Sequence, residues 1–324
     1  MSEAYAKKSF VALKNPYDTV LEVYPGIIDE VKPSLALRGY AYYAGYKDTK
    51  AIPDTLAARL QRHGFLRHTR DRMALGGRAV DLRLVNPLTG KWMSGSSSGT
   101  ALNVFYGIND LGVGTDGGGS VLAPAAALNL FGFISPLIEE EHVKAFEKKS
   151  TDGISFTPSI GFITRDLQTM ETALRAGTGL LDHGDDSHRR VPDFVAVSEA
   201  IDIYGGREEL IPYVKDVVRR GTVLVSEEGP VDLYGMGDSI FGHFGGETAG
   251  LQKLGKKGLM RVANMCGLTA LTVPARELGR CRVYLCDSNP DDIAAVLARA
   301  ARVCVPGSPL IERYFLNLEM YFNT

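Results

Sequence analysis

Two clusters of glycine and serine distinguish residues 90–135 from the rest of the chain, and this segment reads GKWMSGSSSGTALNVFYGINDLGVGTDGGGSVLAPAAALNLFGFIS. The first cluster covers residues 94–99, the second covers residues 112–120, and helix-forming residues follow each of them. Glycine clusters allow sharp turns and expose backbone N–H groups, and the start of a helix adds unpaired N–H donors. This combination predicts an anion site, either for a phosphate or for the transient oxyanion of acyl transfer.

Around this segment, short apolar runs with β propensity alternate with helical patterns. Strands are predicted at residues 9–13, 194–197, 223–225, 268–273 and 282–286, and helices at residues 53–63, 165–176 and from residue 289 onward. Strands interleaved with helices favour an α/β fold in which a parallel or mixed sheet is covered on both faces. Because no repeat, low-complexity tract or linker interrupts residues 1–324, we expect one domain.

Composition excludes several classes of protein. The chain has 324 residues, 45% of them hydrophobic, and a net charge of −2, which argues against nucleic acid or an anionic membrane as partner. The four cysteines form no CxxC pair, so neither a disulfide framework nor a zinc site is predicted. The N-terminus lacks the apolar core of a signal peptide, and the longest apolar run is too short to span a bilayer. We therefore expect a cytoplasmic enzyme.

Two familiar motifs match the clusters by letter only. Residues 112–117 satisfy the dinucleotide-binding pattern G-x-G-x-x-G, but further glycines extend the loop and the motif does not open a clean βαβ unit. Residues 95–99 satisfy the nucleophile-elbow pattern G-x-S-x-G, but a turn precedes them where a strand is needed. A third interpretation, that both clusters are simple connectors, is weakened because the pattern occurs twice.

Taken together, the two clusters resemble the amidase signature family of serine hydrolases. The family pattern is approximately G-G-S-S-G-G-S-A followed by G-x-G-T-D-x-G-G-S-I-R-x-P-A; here it reads SGSSSGTA at residues 94–101 and GVGTDGGGSVLAPA at residues 112–125. The run FVALKN at residues 10–15 is similar to the family's V-A-V-K-D-N, in which a lysine ends an N-terminal strand. Weaker similarity occurs at residues 161–166 and 263–274. The chain is shorter than typical members between residues 177 and 229.

The resemblance implies a fold and a set of roles. The fold would be a single α/β/α domain around a large mixed sheet. Lys14 would be the neutral base, Ser96, on a cis peptide bond, would relay the proton, and Ser120 would be the nucleophile. The oxyanion would be held by the N–H groups of Ser120 itself and of the three glycines before it, Gly117, Gly118 and Gly119.

The residues themselves are compatible with a lysine base. A buried lysine can act as a base because burial lowers its pKa, and the six histidines all lie outside the motifs. Asp116 is expected to support the second loop by accepting backbone N–H bonds, and Ser97 to support the first. Histidines and aspartates within residues 182–190 have a spacing that gives only weak support for a metal site.

The expected reaction is hydrolysis of a small-molecule carboxylic amide through an acyl-enzyme, without cofactor or metal. Met93 and Ser94 are expected to line the substrate pocket, and Leu122 stands where the family commonly has arginine. These features favour a neutral, partly apolar acyl group. The alternatives are acyl transfer to an amine or alcohol, ester cleavage by the same residues, and ligand binding without turnover. The oligomeric state, including a homodimer, stays open.

Overall fold

A ten-stranded mixed sheet forms the centre of the structure, and the second glycine–serine loop follows one of its strands. The structure is a computed structural model that describes residues 2–24, 26–179, 181 and 191–322. In chain order the strands are β1 (Val20–Val23), β2 (Tyr42–Lys47), β3 (Phe65–Asp71), β4 (Val80–Val85), β5 (Trp92–Ser94), β6 (Leu111–Asp116), β7 (Phe131–Ser135), β8 (Lys148–Lys149), β9 (Ser155–Phe156), β10 (Ser159–Thr164), β11 (Asp193–Ala196), β12 (Thr222–Glu228), β13 (Thr269–Pro274) and β14 (Cys281–Cys286).

Helices connect most of these strands. They are α1 (Ser2–Lys14), α2 (Ile27–Arg38), α3 (Asp54–Arg62), α4 (Ser98–Phe105), α5 (Leu122–Ala127), α6 (Glu140–Val143), α7 (Leu167–Thr178), α8 (Arg207–Val217), α9 (Ser239–Gly242), α10 (Gly246–Lys253), α11 (Pro290–Val303) and α12 (Pro309–Phe315). Short 3-10 helices lie at Leu75–Gly77, Lys144–Phe146, Leu259–Arg261, Asn264–Cys266 and Leu318–Tyr321. Within the described ranges, no helix combines the length and the apolar character needed to cross a membrane.

The large sheet has the order β1-β3-β2-β6-β10-β7-β13-β14-β12-β11. Strands β3, β2 and β6 are mutually parallel, β11 is parallel to β12, and the other neighbours are antiparallel. This parallel group places the ends of β2 and β6 at the same edge, and both glycine–serine loops lie there. The prediction of a large mixed sheet is confirmed.

Two apolar clusters cover the faces of the sheet. One contains residues of α4, α5 and α8, and the other contains residues of α3, α7 and α11. Adjacent strand residues alternate between them, since Phe133 belongs to one cluster and Ile134 to the other. The expected covering of both faces is therefore confirmed. The expectation that residues 1–324 form one domain stays a prediction.

Most of the predicted elements are confirmed. The predicted helices correspond to α3, α7 and α11, and in α11 the four residues expected on one face are all buried: Ile293, Val296, Leu297 and Ala300. Four of the five predicted strands correspond to β11, β12, β13 and β14.

The strand predicted at residues 9–13 is wrong, because this segment belongs to α1. Tyr5, Ser9 and Ala12 are spaced as neighbours on one face of a helix, and Ala12 and Ser9 are buried. The Tyr5 hydroxyl donates to the Ala41 carbonyl at 2.7 Å, which holds this face against the start of β2. A short apolar run does not by itself distinguish a buried strand from a buried helical turn.

A glycine substitution tests how tightly the central strands approach. A Cβ on Gly161, in β10, would lie 2.3 Å from the backbone carbonyl oxygen of Phe133 in β7. Since the sheet must open to accommodate it, Gly161→Ala should lower the free energy of unfolding by at least about 2 kcal/mol, measured by urea denaturation. Gly250→Ala, in α10 where a Cβ would meet nothing within 4 Å, should leave stability unchanged or raise it. Equal effects of the two substitutions would contradict this packing.

Candidate active site

A buried lysine ends β2 directly below the first glycine–serine loop. The Lys47 Nζ donates to Ser96 Oγ at 2.7 Å, to Thr115 Oγ1 at 3.0 Å and to the Thr115 carbonyl oxygen at 3.2 Å. Lys47 is 4% exposed and Ser96 is 3% exposed. Because β2 is parallel to and paired with β6, the end of β2 delivers this amine to the start of the second loop.

Burial lowers the pKa of Lys47 from 10.5 to about 7. Nearby Lys148 lowers this pKa further, while the carboxylate of Asp116 opposes the shift. The three hydrogen-bond acceptors of the amine are uncharged, so they do not replace the hydration that the ammonium loses. At neutral pH a large fraction of Lys47 is therefore a neutral amine, and it can accept a proton from Ser96 through the same contact.

The first loop packs directly on the second. The Ser97 N–H donates to the Ser120 carbonyl oxygen at 3.1 Å, and the Ser96 carbonyl oxygen accepts from the Ala74 N–H at 3.1 Å. Ser97 then precedes α4, with its hydroxyl 3.4 Å from the Thr115 carbonyl oxygen. These backbone contacts fix the position of Ser96 relative to the loop that carries Ser120.

Asp116, the last residue of β6, supports the second loop from inside. Its carboxylate accepts from the N–H groups of Gly119 at 2.7 Å, Val121 at 2.6 Å and Leu122 at 3.2 Å. Gly119 has a φ of +95°, a left-handed conformation that favours glycine. The carboxylate thereby turns the chain sharply and places Ser120 just before α5.

The N–H groups of the second loop differ in their availability. The Gly119 N–H is already donated to Asp116, so the structure does not present it to a ligand. The N–H groups of Gly117, Gly118 and Ser120 donate to no other residue in the described part of the chain. All three of these residues line one cleft and are partly exposed.

This cleft has a volume of about 290 Å³ and brings together Lys47, Ser96 and Ser120. Ser120 is partly exposed, whereas Lys47 and Ser96 are buried. Among the described residues, no side-chain hydrogen bond joins Ser96 to Ser120. The arrangement brings an accessible hydroxyl, a buried serine–lysine pair and unpaired N–H donors together in one concave site.

The expected base, Lys14, is not at this site. Lys14 ends α1, is exposed and does not line the cleft; Lys47 occupies the place beside Ser96. The assignment of Lys14 was wrong because it depended on the strand predicted at residues 9–13. The sequence did hold a signal for Lys47, since it ends an apolar run and is followed by Asp48, as in the family's K-D pair.

Three further expectations need correction. Within the described residues the only cis peptide bond joins Gly229 and Pro230, so Ser96 lies between trans bonds. Met93 and Ser94 are buried in β5 and do not line the cleft, because both faces of this short strand are covered at these two positions. The expected pocket lining is therefore wrong for both.

The weak metal hypothesis finds no support in what the structure describes. The histidines and aspartates of residues 182–190 lie outside the described residues. Elsewhere in the described chain no three His, Cys, Asp or Glu side chains are grouped so that they could hold a metal ion. His68 does not line the cleft. It is buried, its Nδ1 lies 2.7 Å from Asn109 Oδ1, and burial lowers its pKa to about 4.

Comparison with known proteins identifies similar chains. The family model described as Amidase matches residues 26–200. A bacterial aryl acylamidase of the amidase signature family is similar in structure, with a TM-score of 0.58, 14% identity and coverage of 93% of each chain. No curated protein sequence matches significantly.

Two other solved structures are similar. One is 6-aminohexanoate cyclic dimer hydrolase complexed with substrate, with a TM-score of 0.59, 12% identity and coverage of 98% of this chain and 95% of that one. The other is the peptide amidase PAM in complex with the competitive inhibitor chymostatin, with a TM-score of 0.54, 14% identity and coverage of 94% and 96%. At these identities the likeness shows a shared fold.

The buried amine should make stability depend on pH. Between pH about 7 and 10.5 the unfolded chain binds a proton at Lys47 that the folded chain does not. Burial of Lys47 therefore destabilises the folded state fully below about pH 7, and this destabilisation decreases as the pH rises. The free energy of unfolding of Lys47→Met should therefore exceed that of the wild type by more at pH 7 than at pH 9. This excess should decrease by about 1 kcal/mol for each unit of pH. Urea denaturation measures this difference. The exposed Lys14→Met should show no such pH dependence, and the same behaviour in both variants would contradict the burial of Lys47.

Proposed function

The chain belongs to the amidase family and is a hydrolase of carbon–nitrogen bonds, and we propose that it cleaves a small carboxylic amide through an acyl-enzyme on Ser120. Ser96 and Lys47 form the proton relay in this proposal. The observation that supports it most strongly is the 2.7 Å contact between the buried Lys47 Nζ and Ser96 Oγ, in the cleft that also exposes Ser120. An aliphatic hydroxyl needs such a base to become an effective nucleophile.

In the first half of the reaction, the Ser120 Oγ attacks the amide carbonyl carbon and its proton passes to Ser96. The Ser96 hydroxyl proton passes in turn to the neutral amine of Lys47, which becomes an ammonium. When the tetrahedral intermediate collapses, the carbon–nitrogen bond breaks and the relay returns the proton to the leaving nitrogen. The products of this half are ammonia or an amine and a Ser120 ester.

In the second half, water takes the place of the departed amine. The relay removes a proton from water as it attacks the ester, and returns that proton to the Ser120 oxygen when the ester bond breaks. The carboxylic acid is released and Ser120, Ser96 and Lys47 regain their starting states. The net reaction consumes only the amide and one water molecule.

The developing negative charge on the carbonyl oxygen needs hydrogen-bond donors that are already in place. We assign this role to the N–H groups of Gly117, Gly118 and Ser120, because all three are unpaired and line the cleft. The Gly119 N–H is left out, since it holds the Asp116 carboxylate. Loss of one such donor typically raises a barrier by about 3 kcal/mol.

The nucleophile is tested by substitution and covalent labelling. Ser120→Ala should lower amide hydrolysis at least about 10³-fold and abolish labelling by a serine-directed phosphonate, because the attacking oxygen is removed. Peptide mass spectrometry of the labelled wild type should place the phosphonate on Ser120. Far-ultraviolet circular dichroism provides the control for folding. A label on Ser97, or a Ser120→Ala variant that still hydrolyses amides, would contradict the proposal.

The base is tested by a matched pair of lysine variants. Lys47→Met should lower kcat/KM by about 10²- to 10⁴-fold, whereas Lys14→Met should leave it unchanged. Lys47→Arg should be nearly as damaging as Lys47→Met, since a guanidinium keeps its proton. In the wild type kcat/KM should rise with pH through about 7, as the neutral amine becomes populated. Loss of activity in Lys14→Met with retention in Lys47→Met would reverse the assignment.

A further inference from the structure

The cleft has a cationic wall, which is made of Arg78, Lys148, Lys149 and Arg207. Among the described residues that line the cleft, Asp116 is the one carboxylate. Two carboxylates outside the cleft lining offset part of the charge, since Arg78 pairs with Asp238 and Arg207 pairs with Asp152. Lys148 and Lys149 are exposed and form no ion pair with another residue that the structure describes. A concave site with one sign of charge concentrates ligands of the opposite sign.

Arg207 is the buried residue of this wall, and a hydrogen bond fixes its position. It is only 8% exposed and begins α8, inside the segment where the sequence is shorter than typical family members. Its Nη1 donates to an Asp152 carboxylate oxygen at 2.8 Å, which fixes the plane of the guanidinium. The opposite edge is different, because its Nε is buried without a hydrogen-bond partner and its Nη2 donates to no other described residue.

An Nε–Nη2 edge presents two parallel N–H groups, the geometry that binds a carboxylate through two hydrogen bonds. A buried N–H without a partner is costly, so it points to a ligand that is missing from the free protein. The edge also lies close to the reacting centre. Its Nη2 is 3.3 Å from the position that a Cβ on Gly118 would occupy, and Gly118 is a proposed oxyanion donor.

We propose that the unpaired edge of Arg207 is a carboxylate subsite and that the preferred substrate is a short amide bearing a free carboxylate. This inference rests on the proposed function and names its substrate class. Gly118 and Ser120 are two residues apart in one turn, so their Cα atoms are at most about 7.6 Å apart. The two groups are therefore close enough for the half-amide of a short dicarboxylic acid to place its carboxylate at Arg207 and its carbonyl at Ser120.

This assignment reverses the preference for neutral amides expected from the sequence. That expectation depended on Met93 lining the pocket and on the absence of a guanidinium at Leu122. In the structure Met93 belongs to the core, and Arg207 brings a guanidinium to the cleft from a distant part of the chain.

The test compares two amides that differ at one end. Succinamate carries a carboxylate where butyramide carries a methyl group, and kcat/KM is measured for both. The wild type should prefer succinamate by at least about tenfold, and Arg207→Gln should lower the succinamate-to-butyramide ratio by about 10- to 100-fold. Arg207→Lys should lower the ratio less, since it keeps the charge and loses the paired donors. Arg219→Gln, which removes an exposed guanidinium just beyond α8, should leave the ratio unchanged.

A binding measurement separates this proposal from the proposed function. Calorimetric titration with succinate should show binding to Ser120→Ala that is lost when Arg207→Gln is added, with thermal unfolding confirming that both variants are folded. If the wild type cleaves butyramide as well as succinamate, or if Arg207→Gln leaves the ratio unchanged, the subsite is wrong and the amidase proposal stands. If folded wild type cleaves neither amide, succinate binding alone decides whether the subsite exists, and phosphonate labelling of Ser120 decides the proposed function.

Discussion

The candidate active site depends on a lysine amine held in the protein interior against a serine hydroxyl. Lys47 reaches Ser96 and Thr115 from the end of β2, and the cost of dehydrating an ammonium there lowers its pKa to about 7. The same burial that lowers the pKa of Lys47 makes its protonated form destabilising. The surrounding sheet must therefore hold a group that would be more stable in water, an example of stability given up for function.

The rest of the site follows from where β2 and β6 end. Because the two strands are parallel neighbours, the Lys47 amine and the second loop meet at one edge of the sheet. Asp116 then turns the loop by accepting three N–H groups, which leaves other N–H groups free to face the cleft. The positive charge of Lys148 acts on this site without a direct contact, since it lowers the pKa of Lys47. Lys148 also contributes to the cationic wall of the cleft. A bound carboxylate would partly neutralise that wall.

Local sequence patterns predicted the parts of this account that are encoded locally. The glycine–serine loops, the alternation of strands and helices and the support role of Asp116 each depend on adjacent residues. The apolar pattern alone did not distinguish Lys14 from Lys47, because residues 9–13 and the run before Lys47 are both short, apolar and followed by lysine; the following residue, Asn15 or Asp48, is the local difference. Arg207 could not be placed at all, since it reaches Gly118 through tertiary packing alone. Met93 was misplaced because its closeness in sequence to the first loop did not reveal that its side chain belongs to the core.

The central claim, that Lys47 is a neutral amine near physiological pH, can be measured directly. Lysine labelled with carbon-13 at Cε reports the protonation of each amine by NMR, and the Lys47 signal is the one that disappears in Lys47→Met. We expect this signal to titrate with a midpoint near pH 7, well below the reference pKa of lysine, which is about 10.4. A Lys47 midpoint close to that reference value would contradict the burial of a neutral amine.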